Sequence, residues 1–157
     1  MKVEFWMIGK TAFPWITEGM SIYEKRLKHY LPFQSILLND IKNAGKLPVA
    51  ELKKKEGQLI LSKLNKSDFL YLLDEKGKSF TSEQFAAVLE KRFQNTAGKV
   101  VFLVGGAFGF SPEVYARANA QISLSKMTFS HQMVRVFFLE QIYRAMTILK
   151  GEKYHNA

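Results

Sequence analysis

Five apolar runs recur along the chain: residues 3–8, 33–38, 69–73, 100–104 and 121–125. Each is followed by a polar or glycine-bearing break, and then by a stretch with helical spacing. The first run is apolar and aromatic without clean alternation, as in a strand buried on both faces. The third and fourth are almost unbroken Leu, Val, Phe and Tyr and read the same way. After the first run, Pro14 suits the opening turn of a helix. Trp15, Ile16, Met20, Tyr23 and Leu27 then repeat at helical spacing to about His29. Residues 39–48 are polar, with Gly45, and read as a loop. Residues 49–64 form a second helical pattern with Leu52, Leu59, Ile60 and Leu64 inward.

Several boundaries carry their own chemical signals. Asp74-Glu75-Lys76-Gly77-Lys78 is polar and predicts a turn after the third run. Thr81-Ser82-Glu83-Gln84 matches a capping box and opens a helix to about residue 94. Ser111 caps a short helix with Pro112 in its first position. The last helix is expected over residues 131–149, with Gly151 at its C-terminal cap. Strand and helix therefore alternate, which predicts one α/β domain over residues 1–157 with a mostly parallel sheet flanked by helices.

The last helix has an unusual face distribution. Met133, Val134, Phe137, Phe138, Leu139 and Ile142 are apolar nearly all round its axis. A helix wet on one side does not look like that. It is expected to bury one side against the sheet and the other against a second copy of the chain. Glu140 and Arg144 stand four apart and read as a structural ion pair. His131 and Arg135 share a face near the helix start, placed to reach a neighbouring loop.

Composition narrows the partners. Lysine and arginine exceed the acids to give a formal charge of +9, which favours a polyanion such as RNA. Lys53-Lys54-Lys55 reads as a solvated helix face. There is no cysteine, which excludes disulfides and thiolate chemistry and suits a cytoplasmic protein. No apolar run is long enough to span a membrane, and the first residues read as a strand, not a signal peptide. No His, Asp and Glu cluster has metal-ligand spacing.

In an open α/β sheet, ligands sit beyond the carboxyl ends of the strands. Three ends stand out: Leu73-Asp74, Val104-Gly105-Gly106 and Leu124-Ser125. A glycine turn between a buried strand and a helix start lets bare backbone amides face a ligand. The Gly105-Gly106-x-x-Gly109 spacing is neither a dinucleotide fingerprint nor a P-loop, and no Ser sits in a nucleophile elbow. In the tail, Tyr154-His155 is either a frayed end or an aromatic and an imidazole available for base stacking and proton transfer.

Taken jointly, Val104-Gly105-Gly106 with Gly109, residues 124–136 (LSKMTFSHQMVRV), Glu140-Gln141 with Tyr143-Arg144-Ala145, and Gly151-Glu152 with Tyr154-His155 resemble one family. It is the bacterial ribosomal RNA large-subunit methyltransferase H family, within the SPOUT methyltransferases. The resemblance covers essentially the whole chain. It implies S-adenosylmethionine as methyl donor and N3 of a pseudouridine in large-subunit ribosomal RNA as target. It also implies a homodimer and a C-terminal trefoil knot, which no periodicity displays. The cofactor pocket it implies is Leu73, Gly105, Leu124, Ser125, Lys126, Met127, Thr128 and Phe129. His155 or a water is expected to take the N3 proton, and Tyr154 to position the base. Arg135 and Arg144 are expected to anchor phosphate or developing negative charge. Gln132 and Lys153 stand where many members carry proline. A non-catalytic RNA-binding or ribosome-associated module is the alternative that the basic charge also allows.

Overall fold

The computed structural model describes residues 2–106 and 108–156. Five strands, β1 (Val3–Ile8), β2 (Phe33–Leu38), β3 (Phe69–Ser79), β4 (Val100–Val104) and β5 (Ala120–Ser123), form one sheet in the order β2-β1-β4-β3-β5. Every pairing is parallel. The helices are α1 (Pro14–Leu27), α2 (Val49–Ser62), α3 (Ser82–Asn95), α4 (Pro112–Arg117) and α5 (Met133–Leu149).

The poor alternation of the central strands has a direct cause, since the sheet is covered on both sides. Phe5, Met7, Tyr71, Phe102 and Val104 point to one face and pack with Ile16 of α1, Phe85 of α3 and Phe138 of α5. Trp6, Ile8, Leu72, Val101 and Leu103 point to the other and meet Ile60 of α2 and Val114 of α4. All residues of β1 and β4 are buried. Glu4 is the polar member of β1. Its carboxylate accepts from Trp6 Nε1 at 2.9 Å and lies 3.3 Å from both Lys2 Nζ and Lys99 Nζ.

The local caps form as their chemistry dictates. Thr81 Oγ1 accepts from Gln84 N at 3.1 Å, and Gln84 Oε1 accepts from Thr81 N at 2.9 Å. Gly151, at φ +69°, closes α5 through Gly151 N to Ile148 O at 3.0 Å and Glu152 N to Thr147 O at 2.9 Å. Pro14 and Pro112 open α1 and α4, and Ser111 caps the latter.

Four expectations change. The predicted turn at residues 74–78 is instead a continuation of β3, which bulges so that both Leu73 and Lys78 oppose Ile122 of β5. β5 covers residues 120–123, so Leu124 and Ser125 already belong to the following loop. α2 ends at Ser62. α5 begins at Met133, leaving His131 and Gln132 in a turn before it.

The order of the strands places the crevice. β3 exits to α3 on one face and its neighbour β4 exits to α4 on the other. Adjacent strands whose connections part to opposite faces leave an opening at their carboxyl ends.

Candidate active site

A cavity of about 560 Å³ lies at that opening. Leu73 ends the first part of β3, Gly105 follows β4, and Leu124, Ser125, Met127, Thr128 and Phe129 come from the loop after β5; all seven line it. Lys126, the remaining predicted pocket residue, does not. Residues 74–76 of the β3 bulge and Phe108, Phe110 and Tyr115 complete the wall. Asp74 stands at a strand end that the sequence marks, but Glu75 and Lys76 escape sequence reasoning because a polar stretch reads as a turn.

The loop after β5 is held in shape by its own side chains. Ser123 Oγ donates to Ser125 O at 2.8 Å, and Ser125 Oγ accepts from Met127 N at 3.0 Å. Thr128 Oγ1 donates to Glu75 Oε2 at 2.9 Å, tying the loop to the β3 bulge. Met127 at 78% and Phe108 at 56% exposure form an apolar rim. Across the cavity Gly109, at φ +80°, turns the chain so that its N–H reaches Gly106 O at 3.3 Å. A side chain at Gly105 would begin 2.9 Å from the Phe110 ring, so only glycine leaves that ring in place.

The titratable groups are polarised by this packing. Tyr115 donates its hydroxyl to Asp74, and burial together with that carboxylate pushes the phenol up to about 12. Burial, reinforced by Asp40, raises the Glu56 carboxyl above its usual range behind Gly106. His131 lines the cavity beside Ser130.

The four residues expected to do chemistry lie outside this cavity in the same chain. Arg135 is 1% exposed and points inward. Its guanidinium donates to Ile8 O at 2.9 Å and to Gly9 O and Thr11 Oγ1, both at 3.1 Å. Its donors in this chain are directed at the backbone and side chain of residues 8–11. Arg144, Tyr154 and His155 form a second cluster with Glu140. Tyr154 donates to Glu140 Oε1 at 3.1 Å and stacks edge-on against Tyr143 at 4.8 Å. Burial, with Tyr23 and Glu140, pushes the Tyr154 phenol up to about 12. Arg144 Nη1 donates to His155 Nδ1 at 3.1 Å, which leaves the ring proton on Nε2, 2.9 Å from Glu83 Oε1. The tail is thus folded, not frayed, with both imidazole nitrogens engaged.

Among the described residues no group of three or more His, Asp or Glu side chains is placed to hold a metal. Among the described residues no helix is long and apolar enough to cross a membrane.

Comparison with known proteins gives the family. The chain is 54% identical over 156 residues, 99% of its length, to the ribosomal RNA large subunit methyltransferase H of Cytophaga hutchinsonii, and spans 100% of that protein. It is 53% identical to the protein of the same name from Parabacteroides distasonis, across 99% of both chains. The corresponding protein of Christiangramia forsetii is 49% identical, again over 99% of both. The family model described as "Predicted SPOUT methyltransferase" matches residues 1–155, so the chain belongs to that family.

Proposed function

We propose that this protein transfers a methyl group from S-adenosylmethionine to N3 of a pseudouridine in large-subunit ribosomal RNA. The observation that carries the reading is the cavity at the β3/β4 switch point, lined by seven of the eight residues that the family pattern marks for the cofactor. Its volume falls in the ordinary range for a cofactor site, roughly 300–1,000 Å³. Leu73, Leu124 and Phe129 supply apolar walls for a purine. The amides of the glycine turn and of the loop after β5 supply directional contacts.

The cofactor supplies an electrophilic methyl on a sulfonium, so the protein's task is alignment and water exclusion rather than covalent catalysis. The walls from β3, β4 and the loop after β5 hold one reactant. The exposed apolar rim of Met127 and Phe108 offers the target base a surface to stack on. The N3 proton must leave the base, and an engaged His155 accepts it at Nδ1 only when the Arg144 contact there is replaced.

That requirement supports a homodimer. Trp15 and Ile22 of α1 and Met133 and Phe137 of α5 are 39–56% exposed and cover the same side of the molecule as Gly19, which abuts Val136. A second copy buries this face and brings Arg144, Tyr154 and His155 of one subunit to the cavity of the other. The C-terminal trefoil knot of the SPOUT class and a cytoplasmic location complete the reading.

Mass spectrometry of ribosomal RNA from cells lacking the protein tests the activity. N3-methylpseudouridine disappears and returns when the protein is resupplied; an unchanged signal refutes the reading. Calorimetry with S-adenosylmethionine separates an enzyme from a pure RNA-binding module, which gives no cofactor heat. Trp15→Glu tests the dimer by sedimentation, with monomers expected and an unaltered dimer refuting that face.

A further inference from the structure

The loop that forms the cavity wall starts at β5, on the edge of the sheet, and ends where α5 begins against β1. Between those strands lie β3 and β4, a lateral span of about 14 Å at ordinary strand spacing. The connecting stretch, about nine residues, reaches roughly 30 Å when extended. Its own side chains and the Thr128–Glu75 contact fix the first part of the loop, and roughly twofold slack leaves the rest to the tether at its far end.

The tether is in place. Ala12 N donates to Gln132 Oε1 at 2.8 Å, and Gln132 Nε2 reaches Lys10 O at 3.5 Å. One helical turn on, Arg135 grips Ile8 O, Gly9 O and Thr11 Oγ1. The two side chains together take hold of residues 8–12, the end of β1 and all of its connection to α1 except Phe13. Arg135 Nε is buried without a hydrogen-bond partner, and the guanidinium is met by carbonyl dipoles and a hydroxyl rather than by a bonded carboxylate. A buried cation without a bonded carboxylate is costly even with the Asp40 charge nearby, and an apolar side chain of similar volume satisfies packing alone. A buried guanidinium fits a directional task, which the three oxygen contacts describe.

We propose that Gln132 and Arg135 are positioning residues that clamp the far end of the cofactor loop to the β1-to-α1 connection and so set the shape of the S-adenosylmethionine pocket. This rests on the methyltransferase reading and assigns Arg135 a place in it different from phosphate anchoring. The clamp acts on cofactor binding. It leaves the methyl-transfer step, once the pocket is filled, largely as it was.

The test compares Gln132→Ala, Arg135→Lys and Arg135→Met with a control, Val3→Ala, at the amino end of β1 and far from the pocket. Cofactor affinity is read by calorimetry, and KM and kcat on ribosomal substrate by tritiated methyl incorporation. Gln132→Ala is expected to raise Kd and KM for S-adenosylmethionine about tenfold with kcat at saturation changed about twofold or less, and Arg135→Met to raise them further. Arg135→Lys, which keeps one donor toward the carbonyls, is expected to recover part of the loss. Val3→Ala lowers the melting temperature without moving Kd. If Gln132→Ala and Arg135→Lys bind the cofactor as the parent does, the clamp is overturned. A fall in kcat at unchanged Kd overturns it too, in favour of direct contact with RNA. Should Arg135→Met fail to fold, the other two variants still decide. An absence of cofactor heat in the parent protein refutes the methyltransferase reading itself, and is thereby distinguished from failure of the clamp alone.

Discussion

Gly77→Ala is the sharpest probe of how the site is built. Gly77 lies in the bulged part of β3, and its φ is not in the left-handed region, so backbone strain plays no part. The constraint is space. An added Cβ would sit 2.6 Å from Ile122 N and 2.7 Å from both Gln121 C and Ile122 C, all backbone atoms of β5. Ordinary van der Waals contact begins near 3.4 Å, so β3 and β5 must separate by about 0.8 Å. Overpacking against an unyielding neighbour costs about 1–3 kcal/mol. For a chain of this length, about 2 kcal/mol lowers Tm by about 4–8 °C. The shift also carries the neighbouring Asp74, Glu75 and Lys76, which line the cavity, and strains the Glu75–Thr128 contact. Thermal unfolding by circular dichroism and calorimetric titration with S-adenosylmethionine are expected to show both losses together. A Tm within about 1 °C of the parent and an unchanged Kd would refute the view that close β3–β5 contact shapes the pocket.

Three other perturbations separate binding from folding. Gly105→Val pushes the Phe110 ring, 2.9 Å from the new Cβ, out of its contact with Tyr115 and is expected to weaken cofactor binding about tenfold or more; calorimetry reads it. Glu4→Gln removes a buried carboxylate whose burial alone would raise its pKa, but which the indole N–H of Trp6 and the ammoniums of Lys2 and Lys99 hold below the usual range. A depressed carboxyl stabilises the fold above its unfolded pKa and loses that contribution as pH falls through the folded value. The variant is therefore about 1–2 kcal/mol less stable at pH 7, and the gap closes below about pH 4 in urea titrations. Thr81→Ala removes the capping box of α3 and costs about 1 kcal/mol, a Tm loss of about 2–4 °C, with cofactor affinity unaltered.

Local chemistry explains what could be read before the fold was known. The capping box at Thr81, the Ser111-Pro112 start and the Gly151 stop depend on residues within a few positions of each other, so the chain displays them directly. The buried strands of a parallel sheet are apolar on both faces, which marks β1, β3 and β4 as runs. The glycine turn after β4 and the loop after β5 could be named as pocket segments because ligands gather at strand ends. The fate of Asp74 to Lys78 was hidden. Five polar residues read as a turn, and only their pairing with β5, with Gly77 against the Ile122 backbone, makes them a strand and a cavity wall. Arg135 was hidden as well, because its position in the helix allowed a solvent-facing or an inward-facing guanidinium.

By itself, the order of residues determined that strands and helices alternate, roughly where most of them lie, and that the sheet is parallel and covered on both sides. Tertiary structure alone decided the strand order β2-β1-β4-β3-β5, the opening between β3 and β4, and the separation of the Arg144–Tyr154–His155 cluster from the cavity. The physical reason is range. Caps and strand burial arise from neighbours along the chain, whereas strand order is set by partners tens of residues away and the direction of an inward-turned arginine by partners more than a hundred residues away.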